Sequence, residues 1–293
     1  MSPGTPPPDF QVDASLVRTL LADQHPDLAE LPIREVESGW DNQMFRLGDR
    51  LAARLPRRSL SADLLHREQT WLPRIARRLS LDVPAPVRVG EPGRGYPCRW
   101  SVVPWLDGRP VHGEGLPAGE APRFAAFLRS LHQPAPVDAP RNPYRGVPLA
   151  QRAADIEARM GRLKSSTDLL TDALDAIWTN ALEAPLAVGS TWIHGDLHPG
   201  NVIAKEGRIS GIIDWGDLAG GDAATDLASA WMLFDEKGRG VLFDACVGLD
   251  EATMARARGW AVFFGVVLLD IGLAGDPLHA AAGERTLRQL TRD

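Results

Sequence analysis

The sequence predicts an α+β fold, with a small antiparallel sheet in the first part of the chain and a mainly helical second part. Two observations carry this prediction. Short apolar runs separated by turn residues fill residues 33–103, which is the pattern of antiparallel strands. From Ala118 onward, apolar residues recur at the three- and four-residue intervals of a helix, as in Phe124, Phe127, Leu128 and Leu131.

The first elements are a helix and a meander of three strands. The helix begins near Asp13, and Leu16, Val17, Leu20 and Leu21 lie on one side of it. Gly48-Asp49 predicts a tight turn between the second and third strands. The three predicted strands cover residues 33–37, 43–47 and 51–55. Two further strands are expected over 83–89 and 99–103, before Pro104 to Gly108 ends the pattern.

The stretch from Ser61 to Leu79 predicts a helix whose apolar stripe contains one acidic residue, Glu68. A buried carboxylate needs a partner, because an unpaired buried charge is strongly destabilising. Arg54, on the third predicted strand, is the candidate partner. The alternative is that Glu68 lies at the edge of the stripe and its carboxylate reaches water. Pro73 is expected to kink or interrupt this helix.

Length and composition are those of an ordinary globular protein. The chain has 293 residues, of which 44% are apolar and 24% charged. Apolar runs are too short to span a membrane, so we expect a cytoplasmic protein. Cys98 and Cys246 lack metal-ligand spacing and are expected to be two buried thiols. Residues 1–10, which begin with a stretch rich in Pro and Gly, are expected to form a disordered tail.

Charge is distributed unevenly along the chain. The net charge is −6; residues 1–103 contain 14 basic and 13 acidic residues, and the remainder contains 18 and 25. The acidic second part argues against a nucleic-acid partner, which would require a basic face, and favours a cationic or neutral small molecule. The alternative is that these acids are solvated surface groups. Nothing in the sequence implies a protein partner.

One motif carries the chemistry. It runs from Trp192 to Asn201, with the sequence WIHGDLHPGN, and is followed by Asp214-Trp215-Gly216. Asp196 can accept a hydroxyl proton, while Asn201 and Asp214 offer the oxygen ligands that Mg²⁺ prefers. A short hairpin predicted between Asn201 and Asp214 would bring both to one edge. Phosphoryl transfer needs these groups close together, so the motif predicts the active centre of a phosphotransferase.

This motif, with Gly between the His and the Asp of the loop, resembles that of the aminoglycoside phosphotransferases and related small-molecule antibiotic kinases. The resemblance is specific over residues 192–231. It implies a bilobal protein-kinase-like fold, with lobes over residues 11–103 and 104–293 and a nucleotide bound between them. It also implies transfer of the terminal phosphoryl group of ATP or GTP to a small-molecule hydroxyl, with Mg²⁺ as the metal.

The resemblance assigns nucleotide-binding roles in the first lobe. The loop containing Ser38 and Gly39 would cover the phosphates, and Arg54 with Glu68 would form an ion pair between strand and helix. Arg54 stands where the family usually has Lys, and its wider bidentate fork alters the geometry of phosphate contacts. Main-chain groups around two further residues, Val103 and Trp105, would bind the base. Backbone contacts do not distinguish ATP from GTP.

The two histidines of the motif are not predicted to be catalytic. His194 and His198 are spaced as in a zinc-binding helix, but Asp196 stands at the wrong offset and the neighbouring Gly and Pro residues do not suit a helix interior. The resemblance makes His194 a structural residue that orients the loop. His198 would either lie near the transferred phosphate or simply pack. Asp226 matches the helix-start acid of the family and is expected to accept hydrogen bonds from the loop backbone.

The segment after Asp214 is too short to hold a peptide substrate. Only Trp215 to Asp222 precedes the next helix, and no Ala-Pro-Glu sequence follows. A small-molecule acceptor is therefore expected. By the resemblance it would lie against acidic residues of the helical lobe, and the candidate acceptor-binding residues are His198, Asp217, Asp235, Glu236 and Asp270. For each of these acids, a solvated surface charge is the alternative.

Three functions remain open on the sequence alone. The leading one is an antibiotic kinase that confers resistance by O-phosphorylation. The second is a metabolic kinase acting on a sugar, an amino alcohol or a glycated amine. The third is a catalytically weak, nucleotide-binding pseudokinase, which Arg54 and the single glycine of the phosphate loop, Gly39, would explain.

Overall fold

A computed structural model describes residues 7–36, 39–113, 115–246 and 248–292 of the chain. Contacts between Cα atoms divide the chain into two compact units. The N-terminal unit comprises Met1–Arg77 and Asp82–Asp107, and the C-terminal unit comprises Arg78–Leu81 and Gly108–Asp293. The division follows Asp107, whereas the sequence predicted a boundary after Val103.

Helices and strands share the N-terminal unit, while helices dominate the C-terminal unit. The elements of the N-terminal unit are α1 Ala14–Gln24, β1 Ile33–Glu35, β2 Asn42–Leu47, β3 Leu51–Pro56, α2 Leu60–Ala76, β4 Arg88–Gly90 and β5 Trp100–Pro104. The elements of the C-terminal unit are β6 Arg109–Pro110, α3 Ala121–Leu131, α4 Ala153–Leu163, α5 Asp172–Glu183, β7 Thr191–Ile193, β8 Val202–Lys205, β9 Arg208–Ile212, β10 Ala219–Gly221, α6 Ala224–Leu227, α7 Ser229–Leu233, α8 Glu236–Ala245, α9 Glu251–Leu273 and α10 Pro277–Leu290. The predicted α+β class is confirmed.

Strands β1 to β5 form an antiparallel sheet in the order β1-β2-β3-β5-β4. The predicted three-stranded meander is confirmed as its first part. Phe45 and Ala53 lie opposite each other on β2 and β3, and both belong to a buried core that includes Leu20 of α1 and Trp100 of β5. Asp13 caps α1 by accepting the N–H of Leu16, as its position before the apolar run indicates. The amphipathic helix therefore covers one face of the sheet.

Two predicted elements of this unit have different bounds. The strand expected over 83–89 forms only at Arg88–Gly90, because Pro84 and Pro86 have no N–H to donate to a neighbouring strand. The helix expected to reach Leu79 ends at Ala76. Pro73 lies within its last turn and does not interrupt it.

The predicted disordered tail over residues 1–10 is wrong for its last two residues, while residues 1–6 lie outside the described part. The N–H of Asp9 donates to the carbonyl of Arg57 at 2.8 Å, and its carboxylate accepts the N–H of Ser59 at 2.9 Å. The ring of Phe10 packs edge-on against Tyr96. An apolar residue at position 10 therefore extends the core of the N-terminal unit.

Two small sheets interrupt the helices of the C-terminal unit. The first pairs β6, β8 and β9, and the hairpin predicted between Asn201 and Asp214 is confirmed as β8–β9. The second pairs β7 with β10. Neither strand of the second sheet was predicted, because each covers only three residues. Both small sheets adjoin the catalytic motif, which begins on β7 and ends before β10 in the chain.

Helix α9 is the longest helix of the described residues. It is long and apolar enough to cross a membrane, with a mean hydropathy of 1.3, but 67% of its most apolar stretch is buried inside the protein. Trp260, Phe263 and Phe264 are among its buried side chains, and it contacts α4, α5, α6, α7 and α10. Burial against these helices accounts for its apolar faces.

Glycines allow α9 and α10 to lie in close contact. A Cβ atom at Gly283 would lie 2.7 Å from the carbonyl oxygen of Gly265 and 2.8 Å from the Cα of Leu269. A Cβ atom at Gly272 would lie 2.7 Å from the Cβ of Ala280. Such separations are far below van der Waals contact, so a side chain at either position would force the helices apart.

We expect Gly283→Ala to lower the free energy of unfolding by about 1–3 kcal/mol, because the added methyl group overpacks a contact with backbone atoms. The shift of the urea unfolding midpoint measures this loss. The matched control is Gly240→Ala in α8, where nothing lies within 4 Å of the added Cβ. That control should stabilise by up to about 1 kcal/mol through helix propensity. Equal midpoints for the two variants would contradict the packing argument.

Candidate active site

The β8–β9 hairpin brings the two predicted metal ligands to one edge. The N–H of Ile213 donates to the carbonyl of Asn201 at 2.9 Å, so Asp214 follows directly after a residue paired with Asn201. The turn of the hairpin uses Glu206 and Gly207, whose φ angles are 53° and 76°. Two consecutive residues with positive φ form the tight turn that suits the twist of a hairpin.

The side chain of Asn201 also fixes the catalytic loop. Its Nδ2 donates to the carbonyl oxygen of Asp196 at 2.8 Å and to the carboxylate Oδ2 of Asp196 at 3.2 Å. This use of the amide nitrogen leaves Oδ1 of Asn201 as the ligand atom for a metal. The predicted proton acceptor and one predicted metal ligand are therefore in direct contact.

Asp214 has left-handed backbone angles, with φ 61° and ψ 70°. This conformation costs on the order of 1–2 kcal/mol for a residue with a side chain, and such strain clusters at functional sites. The next residue, Trp215, is fully buried, and its Nε1 donates to the carbonyl of Ile212 at 3.0 Å. The buried indole and its hydrogen bond therefore stabilise the strained backbone at Asp214.

His194 connects the catalytic loop to the segment before Asp214. Its Nε2 donates to the carbonyl of Ile213 at 2.9 Å, and its Nδ1 accepts the N–H of Asp196 at 3.2 Å. The ring is fully buried and packs edge-on against Trp215, with centroids 4.7 Å apart. These contacts agree with the predicted role of orienting the loop.

Asp226 anchors the loop main chain, as predicted. Its carboxylate is fully buried and accepts the N–H groups of His194 and Gly195, each at 2.8 Å. Nε2 of His132, the residue that follows α3, lies 3.1 Å from Oδ2 of the same carboxylate. Asp226 therefore has a structural function.

Arg145 and His198 flank Asp196. Nη2 of Arg145 lies 3.4 Å from Oδ1, and Nε2 of His198 lies 3.4 Å from Oδ2. Nδ1 of His198 accepts the N–H of Gly200 at 3.1 Å, so Nε2 carries a proton toward Asp196. Burial favours a raised pKa for Asp196, but the interactions with His198 and Arg145 dominate and lower it well below its usual range.

The electrostatics of His198 and Asp217 follow from the same carboxylate. Burial lowers the pKa of His198, but the negative charge of Asp196 raises it above its ordinary value. Burial raises the pKa of Asp217, and repulsion from Asp196 raises it further. Nδ2 of Asn142 donates to Oδ1 of Asp217 at 2.6 Å. The site therefore contains one ionised carboxylate, Asp196, with the guanidinium of Arg145 and the ring Nε2 of His198 beside it.

The sequence analysis missed Arg145 and Asn142. Both lie in the connection between α3 and α4, outside any recognised motif. The Asn142-Pro143 pair signals a turn, and Oδ1 of Asn142 indeed accepts the N–H groups of Tyr144 and Arg145. No local signal could identify the partners of these side chains, which lie in the catalytic segment.

Of the four predicted acceptor-binding acids, only Asp217 has a described interaction with Asp196. Asp235 is the N-cap of α8 and accepts the N–H of Gly238 at 2.8 Å. Asp270 is paired with two arginines, Arg159 at 2.7 Å and Arg162 at 3.1 Å. Asp235 and Asp270 therefore have structural partners. Glu236 is exposed at the start of α8, and its acceptor role stays a prediction.

The N-terminal unit contains the predicted pair of Arg54 and Glu68. Nη1 of Arg54 donates to Oε2 of Glu68, and both residues are buried. Asn42 adds a contact that the sequence did not predict. In the amide orientation that satisfies both groups, its side-chain oxygen accepts Nε of Arg54 at 3.1 Å and Nη2 at 3.0 Å. The prediction of the pair is confirmed, and the alternative of a solvated Glu68 is excluded.

The other predicted nucleotide-binding residues lie in two segments of the same unit. Ser38 lies outside the described residues. The N–H of Gly39 donates to the carbonyl of Asn42 at 3.1 Å. Val103 is buried on β5 opposite Ala52. The N–H of Trp105 donates to the carbonyl of Arg50 at 2.8 Å, so of its two main-chain groups the carbonyl is the candidate for contact with a base.

The donor set at the hairpin edge fits magnesium. No cluster of three or more His, Cys, Asp or Glu with the geometry of a metal site occurs in the described part of the chain. Mg²⁺ is usually held by one or two carboxylates together with substrate phosphates, so it does not require such a cluster. Asp214 supplies a carboxylate and Asn201 an amide oxygen. These hard oxygen donors beside Asp196 suit a nucleotide-bound Mg²⁺.

Comparisons with known proteins identify the family and the fold. The sequence model of the APH phosphotransferase enzyme family matches residues 32–260 of this chain. A search of curated protein sequences gave no match. Among solved structures, the chain is similar to an APH(2″) enzyme in complex with GDP and kanamycin, with a TM-score of 0.67 and 20% identity over 94% of this chain and 98% of that one.

Two further solved structures show the same fold. One is the macrolide 2′-phosphotransferase MphH from Brachybacterium faecium, with a TM-score of 0.60 and 20% identity over 94% of this chain and 97% of that one. The other is a ternary complex of an APH(2″) enzyme with streptomycin and ATP, with a TM-score of 0.59 and 19% identity over 90% and 92%. The family match covers the Arg54–Glu68 pair, the catalytic loop and Asp214. The chain therefore belongs to the APH phosphotransferase enzyme family and has its bilobal, protein-kinase-like fold.

Proposed function

We propose that this phosphotransferase is a magnesium-dependent kinase that moves the terminal phosphoryl group of ATP or GTP to a hydroxyl group of a small-molecule antibiotic. The observation that carries the proposal is the convergence of three groups. Asn201 is hydrogen bonded to Asp196, and its main chain pairs with the residue before Asp214. A proton acceptor next to two oxygen ligands is the arrangement that phosphoryl transfer requires.

Asp196 acts on the acceptor hydroxyl. The hydroxyl oxygen forms a bond to the terminal phosphorus while the bond from phosphorus to the bridging oxygen breaks, and the nucleoside diphosphate leaves. The proton of the hydroxyl passes to the carboxylate of Asp196. Because the pKa of Asp196 is lowered by its neighbours, the carboxylate is ionised but weakly basic. It therefore orients the hydroxyl first and takes the proton late, which suits a loose transition state.

Asp214 and Asn201 would hold the metal, which supplies positive charge to the nucleotide phosphates when bound. Both ligand residues are held in position by other parts of the chain. Asp214 is set by its left-handed backbone and by the buried Trp215 beside it. Asn201 is set by its two hydrogen bonds to Asp196. Ligands fixed in advance lose little side-chain freedom on binding, which strengthens the site.

The N-terminal unit would bind the nucleotide. Glu68 and Asn42 orient the guanidinium of Arg54, which we assign to the phosphates. Gly39, and Ser38 beside it, would cover the phosphates, while main-chain groups of Val103 and Trp105 would contact the base. The guanidinium is planar and carries several donors, so it suits phosphate oxygens as well as the Lys that is usual here.

The solved relatives support an antibiotic as the acceptor. Their structures include complexes with kanamycin, gentamicin and streptomycin, and two are macrolide 2′-phosphotransferases. We also propose a cytoplasmic location. The two thiols, Cys98 and Cys246, are not joined in a disulfide, as is usual in a reducing compartment.

The test is a panel of antibiotics, sugars, amino alcohols and glycated amines incubated with Mg²⁺ and ATP or GTP, with phosphoryl gain read by mass. We expect transfer to an antibiotic hydroxyl. Asp196→Asn should lower kcat by about 10²–10⁴-fold, because the amide cannot take the proton. The matched control is Asp235→Asn, which keeps the cap of α8 and should keep full activity.

The outcomes of this panel separate the alternatives. Transfer to a metabolite alone would replace the antibiotic by a metabolic acceptor. Nucleotide binding without transfer to any compound would overturn the proposal in favour of a pseudokinase. Full activity of a folded Asp196→Asn variant would refute the assigned role of Asp196.

Removal of the metal gives a second prediction. Treatment with EDTA should abolish transfer, and added Mg²⁺ should restore it. Asp214→Asn should raise the Mg²⁺ concentration for half-maximal activity by on the order of 10–100-fold, because an amide oxygen carries no negative charge. Glu206→Gln, at the tip of the same hairpin, is the control and should leave the Mg²⁺ dependence unchanged. Transfer that persists in EDTA would contradict the magnesium assignment.

The Arg54–Glu68 pair gives a third prediction. Arg54→Met should lower the free energy of unfolding by about 3–5 kcal/mol, because Glu68 loses its guanidinium partner in a buried environment. The double variant Arg54→Met/Glu68→Leu should recover most of that loss in urea unfolding but not the affinity for nucleotide. Recovery of both stability and nucleotide affinity would show that the pair is purely structural.

A further inference from the structure

A histidine from the start of α10 packs against the catalytic loop. The rings of His279 and His198 have centroids 5.6 Å apart, with their planes at 55° to each other. His198 in turn has its Nε2 3.4 Å from Oδ2 of Asp196. His279 lies far from the catalytic motif in the chain, and the proposed mechanism gives it no role. Its ring is nevertheless one residue removed from the carboxylate on which the reaction depends.

The ring of His198 needs packing to hold one orientation. Its Nδ1 accepts the N–H of Gly200 at 3.1 Å, and its Nε2 lies 3.4 Å from the carboxylate of Asp196. Both separations are longer than the usual hydrogen-bond distance of about 2.9 Å. Rotation of a histidine ring about its Cβ–Cγ bond is broad and has no single preferred angle. Two long contacts do not fix such a ring, so its neighbours must help to select its orientation.

Gly200 leaves the space that the ring of His198 occupies. His198 is the N-cap of a single 3₁₀ turn, Pro199–Asn201. A Cβ atom at Gly200 would lie 2.7 Å from Cε1 and 3.0 Å from Nδ1 of His198, which is closer than van der Waals contact. The imidazole of His198 therefore lies against its own turn, and the ring of His279 is its neighbour from another helix.

Asp276 holds both the backbone and the ring of His279. It caps α10, and its Oδ1 accepts the N–H groups of Leu278 and His279, each at 3.1 Å. Its Oδ2 lies 2.6 Å from Nδ1 of His279. Burial favours a raised pKa for Asp276, but the contacts with the N–H and the ring of His279 lower it, so the carboxylate is ionised. Since α10 packs on α9 and α7, His279 is a fixed neighbour for the ring of His198.

We propose that His279 is a positioning residue for the phosphotransferase reaction. Its ring, held by Asp276, keeps the imidazole of His198 turned with Nε2 toward the carboxylate of Asp196. His279 acts through His198 and needs no contact with the nucleotide or the acceptor. Its importance for catalysis rests on the proposed function, in which Asp196 orients the acceptor hydroxyl. Loss of the ring should therefore slow the reaction without weakening nucleotide binding.

Kinetics of three variants test the role of the ring, with the best acceptor that the panel identifies. His279→Ala should lower kcat by about tenfold, because a small displacement of a catalytic group is costly, and the KM for nucleotide should stay unchanged. His279→Phe supplies a ring at the same place and should recover most of the lost kcat. The matched control is Leu278→Ala in the same turn of α10, where the side chain is exposed. That control should keep the wild-type kcat.

Nuclear magnetic resonance of the ring nitrogens tests the orientation of His198 without any substrate. The chain has 7 histidines, and the resonances of His198 are identified by their loss in His198→Gln. In wild type, they should show an unprotonated Nδ1 and a protonated Nε2. In His279→Ala, both resonances should shift or broaden. If that variant does not fold, Asp276→Asn keeps a capping side chain but weakens the hold on the ring of His279, and it should shift the same resonances.

A positioning role for His279 requires both changes together. Resonances of His198 that are unchanged in His279→Ala and in Asp276→Asn would overturn it, even if kcat fell, because the effect would not pass through His198. A folded His279→Phe variant that is no more active than His279→Ala would also overturn the role of the ring. A wild type that phosphorylates no compound would overturn the proposed function alone, since the resonances would still decide whether His279 orients His198.

Discussion

The catalytic centre depends on one buried carboxylate, that of Asp226. A buried charge is tolerated only when hydrogen bonds replace its hydration, and the N–H groups of His194 and Gly195 and the ring of His132 supply them. Two of these donors belong to the main chain of the catalytic loop. The requirement to satisfy Asp226 therefore also fixes the loop. Gly195 makes this geometry possible, because its φ of 86° is a left-handed conformation that glycine adopts without strain.

Hydrogen bonds connect Asp226 to Asn201, and the peptide bond after Ile213 connects the same network to Asp214. His194, whose N–H is held by Asp226, contacts the carbonyl of Ile213 through its ring. Ile213 in turn pairs with Asn201, and Asn201 donates to Asp196. Asp196, Asn201, Ile213 and His194 thus belong to one closed network, and Asp214 follows Ile213 directly in the chain. Because each member satisfies another, a displacement of one residue would break several hydrogen bonds, which makes the arrangement cooperative.

The sequence could predict features that depend on a local pattern of residues, and one ion pair that a buried carboxylate required. The loop residues Asp196, Asn201 and Asp214 follow from spacing, and Glu68 in an apolar stripe required a cation that proved to be Arg54. The strand predicted over 83–89 forms only at Arg88–Gly90, because the prediction followed the apolar pattern and gave too little weight to Pro84 and Pro86. Arg145 could not be found. Its contact with Asp196 spans 51 residues and depends on rings of α9, and no periodicity records such a tertiary contact.

Net charge is a poor guide to a site, and this chain shows the physical reason. Residues after Val103 contain seven more acids than bases, yet the described groups beside Asp196 include Arg145 and His198. Acids such as Asp235 and Asp270 take part in a helix cap and an ion pair. They contribute to the net charge of the chain without determining the electric field at Asp196. The guanidinium of Arg145 and the ring of His198 keep the carboxylate of Asp196 ionised and weakly basic. In the proposed mechanism, catalysis would then come mainly from orientation of the hydroxyl and from stabilisation of phosphoryl charge, with proton abstraction as a late step.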